Sequence, residues 1–311
     1  MQNFLVIAAT GTVGRPLTHK LLAIGHCVHV LTTHPDSERA LELARAGAKI
    51  FRGALDDKAA IAAAAATCTG VYLNPTPASL ADHHLEVTYA QNIIEASRAA
   101  GIRFCVFQSV QNTHSIATMP EWQEWISSAG VVADYWNRKM SIQETVRTAG
   151  FDCWAAIQGS MHFSNFGARY LAMSFPGVRD HPVGTLSFPV QVDTVLDLVD
   201  PVDLAEIATR VLLDPHTFNG LAFNAVGEKM TLAQIAAVIA KHANKPMRAE
   251  HPDPESVKAK RATDLQAGNG EVLAIFANRT DISVCQALGI EFNTLDKFLE
   301  KRQDELREVV A

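Results

Sequence analysis

Cysteine is scarce in this chain and forms no pattern. The five cysteines, Cys27, Cys68, Cys105, Cys153 and Cys285, are odd in number and widely spaced, with no C-x-x-C. That argues against a disulfide framework or a zinc site and fits a reducing compartment. Four of the five fall in apolar stretches, where a thiol reads as buried and inert. Long hydrophobic runs are also missing. The longest run of small apolar residues, 59–66, is far short of the ~20 residues a membrane span needs. No positive charge precedes the first apolar run, so the start does not read as a signal peptide. Basic clusters are absent too. With 27 Lys and Arg against 33 Asp and Glu, the net charge is −6, and a nucleic-acid backbone finds no electrostatic partner. The expectation is a soluble, cytoplasmic protein with a small-molecule substrate and neither nucleic acid nor membrane as partner.

What is present is ample material for a core: 48% of the 311 residues are hydrophobic and only 19% charged. Over the first half, short apolar runs alternate with helical patterns. Strands are expected at 4–8, 27–31, 49–51, 71–73, 102–107 and 151–157. Helices are expected between them, at 13–24, 36–46 with Asp36 as cap, 57–66, 80–100 and 133–149. Such alternation implies parallel strands, because each crossover helix returns the chain to the same end of the sheet. The reading is an α/β fold, a doubly wound parallel Rossmann sheet, with a smaller C-terminal α/β substrate lobe. The expected division is 1–157 for the dinucleotide-binding domain and 158–311 for the smaller lobe, with crossings back to the sheet. In the second half, Asp200-Pro201 opens a helix and Thr231-x-x-Gln234 is a capping box. Residues 221–226 read as a strand. Residues 294–309 read as a final helix with a solvated, charge-rich face.

The first strand runs straight into Ala8-Ala9-Thr10-Gly11-Thr12-Val13-Gly14 and then a helix. Glycines at such a turn let the backbone approach a pyrophosphate, and the helix N-terminus supplies N–H groups and positive potential. The spacing is G-x-x-G-x-x-G with Ala8 in the first glycine's place. Ala8, Thr10, Gly11, Thr12, Val13 and Gly14 are therefore expected to bind a dinucleotide. At the tip of the second strand, where an acid holds the ribose of NAD and a base meets the extra phosphate of NADP, the chain reads Thr32-Thr33-His34-Pro35. No acid stands at the tip. Thr33 and His34, with Arg39 a turn into the helix, tilt the expectation to NADP(H) over NAD(H). Leu55 and Asp56 after the third strand and Asn74 after the fourth complete the expected cofactor contacts. At Asp56 and Asp57 a helix-capping role competes with adenine binding.

Together these residues resemble the NmrA-like family of atypical short-chain dehydrogenases. The resemblance rests on the glycine turn, Gly53-Ala54-Leu55-Asp56-Asp57, the helix Tyr89-Ala90-Gln91-Asn92-Ile93-Ile94-Glu95-Ala96, and Lys139 with Glu144 before Gly150. It continues through Phe163-Ser164-Asn165-Phe166, Asp203-Leu204-Ala205, Asp214-Pro215 and Asn219-Gly220, and so covers about residues 3–250. It implies an extended Rossmann domain and a small C-terminal lobe with a substrate cleft between them. Family members divide into NAD(P)H reductases and dinucleotide-sensing regulators without catalysis. Two departures stand out: Thr33 replaces the arginine common after the second strand, and Gln158-Gly159 replaces the Arg-Pro frequent after the sixth.

Short-chain dehydrogenases, which the chain resembles, use Tyr-x-x-x-Lys with a strand-end serine. The lysine charge lowers the phenol pKa from ~10 toward the working pH and makes it a usable proton donor. The lysine also binds the nicotinamide ribose, and the serine orients the carbonyl oxygen. Here Tyr135 and Lys139 have that spacing and Ser109 follows the fifth strand. Four tyrosines and eleven lysines in 311 positions predict about 0.14 such pairs by chance. Many NmrA-like proteins lack this tyrosine. The competing reading packs Tyr135 on the second lobe and leaves Lys139 as a ribose contact. Trp122 and Trp125 are candidate substrate-pocket residues, as are His162, Phe163 and Phe166, with packing the alternative for each. His83 and His84 lack metal-ligand spacing, and no metal site is expected.

Two functions follow. One is an NAD(P)H-dependent oxidoreductase that passes a hydride to a carbonyl, enone or quinone of a small apolar substrate. The other is a non-catalytic NAD(P)-sensing regulatory protein that binds a protein partner. A homodimer is compatible with either.

Overall fold

Most apolar runs of the first half become strands buried on both faces, as parallel strands covered by helices are, while the run at 49–52 becomes a partly exposed edge strand. The computed structural model describes residues 1–77, 80–126 and 130–311. Its central sheet contains β1 (Asn3–Val6), β2 (Cys27–Thr32), β3 (Lys49–Arg52), β4 (Gly70–Leu73), β5 (Phe104–Val110) and β6 (Cys153–Gly159). A seventh strand, Leu221–Ala225, lies beside β6, and the order runs from it through β6, β5, β4, β1 and β2 to β3. The pairs of β1 with β2 and β4, of β2 with β3, and of β4 with β5 are parallel. The order reverses between β1 and β4, and at such a switch the strand C-termini open a crevice.

The crossovers are helical for identifiable reasons. Helix α1 (Gly14–Ala23) follows the glycine turn and buries Leu17 and Leu21. Helix α2 (Glu38–Arg45) starts two residues later than the sequence suggests. Its cap is Ser37, whose Oγ accepts from the Ala40 N–H, while the Asp36 carboxylate turns away to pair with Arg52 at 2.8 Å. Helix α3 (Lys58–Ala65) is capped by Asp57, whose carboxylate takes the Ala60 N–H. The long helix expected over 80–100 is divided. Residues Leu80–Leu85 form a 3-10 segment, and the α-helix proper, α4 (Glu86–Ala99), begins at Glu86. Helix α5 (Pro120–Ile126) and helix α6 (Gly130–Thr148) lie between β5 and β6.

The chain divides into two compact units, each assembled from three segments. The first comprises Met1–Val110, Arg138–Gln158 and Leu204–Phe223; the second comprises Gln111–Asn137, Gly159–Asp203 and Asn224–Ala311. The core of the first unit forms under the sheet from residues such as Leu5, Val71, Ile93, Phe107 and Ile142. The second has its own core, around Phe163, Leu186, Leu198, Ile235 and Leu299. It also holds a three-stranded sheet of Met161–His162, Val195–Val199 and Glu228–Thr231, and a pair of parallel strands, Gly184–Ser187 and Met247–Glu250. The capping box of Thr231 and Gln234 forms as expected and starts the helix Leu232–Ala243. Asp200 caps Pro201–Leu213 by accepting the Val202 N–H at 2.9 Å. The expected last helix is broken at Arg302 into Leu295–Glu300 and Gln303–Val310. One of its faces is not solvated: Leu295, Leu299, Leu306 and Val310 enter the core of the second unit.

Among the described residues, no helix is long and apolar enough to cross a membrane. All five cysteines are free thiols, four of them buried. Burial pushes the Cys68 thiol up to about 12 and raises Cys105, Cys153 and Cys285 as well.

Candidate functional site

The glycine turn is built for close approach. A Cβ at Gly14 would stand 2.2 Å from the Ala8 carbonyl oxygen, and one at Gly11 would stand 3.0 Å from the same atom. The turn is closed by the Gly11 N–H donating to the Ala8 carbonyl at 2.9 Å. Ala8 takes the left-handed backbone conformation, φ +55°, that normally calls for glycine. Val13, at the cap position of α1, makes no side-chain capping bond, and the first turn of α1 carries no acid. A helix start with no carboxylate over it suits an anion. These residues fit the pyrophosphate of a dinucleotide.

At the tip of β2, Thr33 and His34 are exposed. Arg39, on α2, donates from Nη1 to the Thr10 carbonyl at 3.3 Å, which brings a guanidinium against the glycine turn. Beyond β3, Leu55 is partly buried and Asp56 exposed. The Leu55 carbonyl accepts from Asn92 Nδ2 at 3.1 Å, so α4 fixes this turn. Asn74 is partly buried just past β4.

Lys139 lies on α6 in the same unit as the glycine turn and is only 6% exposed. Its ammonium donates to Glu86 Oε1 at 2.5 Å and to Thr76 Oγ1 at 3.4 Å. Glu86 is the first residue of α4 and is 2% exposed. Its Oε1 also accepts from the Thr76 hydroxyl at 3.1 Å, and its Oε2 stands 3.6 Å from Arg138 Nε. His83 faces the cluster, and burial lowers its pKa. The sequence singles out Lys139 but not its ion-pair partner Glu86. The two are 53 residues apart, and nothing local to Glu86 signals the pairing.

Ser109 is buried within β5, which continues to Val110. Next to it, Gln108 is locked in place. It accepts from the Tyr72 hydroxyl at 3.1 Å and donates to the Ser109 carbonyl at 3.2 Å. Tyr72 is fully buried, and burial raises its phenol well above the usual range. Tyr135 is partly buried on α6, four residues before Lys139, with its ring edge-on to Trp136 at 5.8 Å.

The remaining candidates lie in the second unit. Trp122 and Trp125 are buried, 5.5 Å apart between ring centroids. Trp122 meets Trp136 edge-on, and the Trp125 indole N–H donates to Glu271 at 2.8 Å. Phe163 and Phe166 are fully buried. Phe163 packs beside Phe298 and Phe166 stacks on Phe175. His162 is partly buried on a short strand, and loss of hydration lowers its imidazole to about 4. Among the described residues, no group of three or more His, Cys, Asp or Glu could hold a metal ion.

A sheet that reverses at β1, a glycine-bearing turn after that strand and a buried lysine on the helix before β6 define a Rossmann-type α/β protein. The chain belongs to the NmrA-like family, whose model matches residues 1–299. Solved structures share the fold. Triphenylmethane reductase from Citrobacter sp. is 14% identical, with 97% of this chain and 99% of that one covered and a TM-score of 0.72. An NADPH-dependent quinone oxidoreductase from Escherichia coli, solved with NADPH, is 18% identical, with 96% and 99% covered and a TM-score of 0.70. NmrA, a negative transcriptional regulator solved with NAD, is 17% identical, with 99% and 95% covered and a TM-score of 0.69.

Proposed function

We propose that the protein is an NAD(P)H-dependent oxidoreductase of the atypical short-chain dehydrogenase type that reduces a carbonyl, enone or quinone of a small apolar substrate. The observation that carries this reading is the Tyr135-x-x-x-Lys139 spacing on one helix, with its lysine buried in the unit that holds the glycine turn. A protein that only binds a dinucleotide has no need of a phenol at that spacing. The likeness to two reductases supports the reading at the level of fold.

In this reading Ala8, Thr10, Gly11, Thr12, Val13 and Gly14 hold the pyrophosphate, and Leu55, Asp56 and Asn74 lie along the adenosine and ribose. Thr33, His34 and Arg39 favour NADP(H) over NAD(H), because the guanidinium beside Thr10 suits a further phosphate. The bound, reduced nicotinamide would supply a hydride. Lys139 binds the ribose, Ser109 orients the substrate oxygen, and the Tyr135 hydroxyl gives that oxygen its proton. Trp122, Trp125 and His162 are proposed for the substrate end, with Phe163 and Phe166, fully buried in the core of the second unit, supporting it from within that core. With an imidazole near 4, His162 is neutral at physiological pH and suits an uncharged substrate.

One observation favours the second reading, a dinucleotide-sensing regulator acting on a protein partner. The Glu86 carboxylate offsets the Lys139 charge that would tune a phenol. The two readings separate in one assay: NADPH and NADH oxidation against a panel of quinones, enones, aldehydes and ketones, with Tyr135→Phe alongside. The reductase reading expects turnover in the wild type and a loss of about 100-fold or more in the variant. Full turnover in Tyr135→Phe would remove Tyr135 from the chemistry. Tight binding without turnover would favour the sensor.

A further inference from the structure

The three-stranded sheet of the second unit has one face in the core and one that is polar. Leu196, Leu198 and Met230 enter the core, and Met161 packs against it. Side chains alternate along a strand, so Asp197 and Val199 take the other face. Lys229 is paired with Asp197 across the sheet and His162 with Val199, which puts both on that second face. Lys229 Nζ donates to Asp197 Oδ1 at 2.5 Å. Gln111, the first residue after β5, reaches the same carboxylate. Its amide nitrogen donates to Asp197 Oδ2 at 2.5 Å and to Thr280 Oγ1 at 2.7 Å.

Both N–H bonds of the Gln111 amide are thereby used, and its oxygen lies at the opposite end. Reversing the amide would set that oxygen against an oxygen of Asp197, so the orientation is fixed. The oxygen is buried, and among the described residues nothing donates to it. The backbone holds it there. The Gln111 N–H donates to the Gly159 carbonyl at 3.0 Å, and Asn112, next in the chain, exchanges hydrogen bonds of 2.7 and 2.9 Å with Asn224. Stability gives no reason to keep such a group, since a buried acceptor without a donor destabilises a fold.

We propose that Gln111 Oε1 accepts a hydrogen bond from a hydroxyl group of the substrate, so that the carbonyl, enone or quinone compound also carries an alcohol or phenol. This rests on the reductase reading, in which His162, on the same sheet face, belongs to the substrate end. The face holds one acid and one base paired with each other, and an imidazole that is neutral at physiological pH. With no net charge among these groups, an uncharged donor suits it better than an ammonium. A site with such an oxygen rejects a ligand that lacks the donor, because the buried acceptor then stays unpaired.

The test compares ligands in matched pairs that differ only in the donor: para-hydroxymethylbenzaldehyde against its methyl ether, and hydroxymethyl-benzoquinone against its methyl ether. Dissociation constants are measured by calorimetry on the full chain saturated with NADP+, where no hydride is available. NADPH oxidation is followed separately with the same compounds. The wild type should bind the hydroxyl member of a pair about tenfold more tightly than the ether. Gln111→Met, similar in size and without the acceptor, should bind the two members within about twofold of each other. If that variant does not fold, Gln111→Lys replaces it, since it keeps a donor toward Asp197 and lacks the oxygen. Equal binding of both members by the wild type overturns the proposal, as does a preference that survives in the variant or the failure of every compound to bind. The reductase reading fails separately. A hydroxyl preference that depends on Gln111, with no NADPH oxidised, would keep the acceptor and remove the hydride transfer; turnover of both members at equal affinity would do the reverse.

Discussion

Ala8, in the turn after β1, sits in the left-handed region of backbone conformation. An alanine at φ +55° costs roughly 1–2 kcal/mol against the relaxed conformation, a cost glycine does not carry. Glycine loses roughly 0.5–1 kcal/mol of its own through chain entropy. The difference predicts that Ala8→Gly stabilises the protein by about 0.5–1 kcal/mol in urea unfolding. Gly14→Ala has the opposite sign. Its Cβ would meet the Ala8 carbonyl oxygen at 2.2 Å, and that atom belongs to the backbone, so the turn itself must move. A loss of about 2–3 kcal/mol is expected, together with NADPH binding, and unchanged calorimetric binding would show that the turn is not where the phosphates lie. At this scale the site was partly legible. The glycine turn is a local motif and could be read directly. Glu86, Gln108 and the Arg39 contact to Thr10 could not, because each acquires its role from a partner far along the chain.

Elements were legible where propensity and packing agree. The Thr231 capping box and the Asp200-Pro201 start both formed, since caps are local chemistry. The helix Leu265–Phe276 is the opposite case. Its stretch Ala267-Gly268-Asn269-Gly270 has the composition of a loop, yet both glycines are buried within a helix. They are there for contact. A Cβ at Gly268 would stand 2.3 Å from Val132 Cγ2, and one at Gly270 would stand 2.2 Å from Pro189. Helix propensity alone favours Gly268→Ala by about 1 kcal/mol. Overpacking against a stiff, β-branched valine costs about 1–3 kcal/mol, and the Arg261 carbonyl closes the other side at 3.2 Å. Packing should win: Gly268→Ala is expected to lower stability by about 1–2 kcal/mol in urea, and a gain would mean that Val132 gives way freely. The start of α4 follows the same logic. Helical spacing suggested one helix over 80–100, but the regular α-helix begins at Glu86, which places that carboxylate at a helix start.

At the scale of the whole molecule, the doubly wound parallel sheet was legible because alternating strands and helices permit few topologies. The assembly of each unit from three separate segments was not, because it depends on which core each later element joins. The seventh strand, Leu221–Ala225, shows this: it arrives late in the chain and takes the place beside β6 in the central sheet. The proposed reductase passes a hydride from a bound dinucleotide to a substrate. The direct measurement is NADPH carrying deuterium at the transferable position of nicotinamide C4, incubated with the wild-type protein and the acceptor panel and followed by mass spectrometry of the products. The expected result is a reduced acceptor that carries the label, taken from one face of the ring only. Tight binding of NADPH, with the label retained and no labelled product from any acceptor, would contradict it.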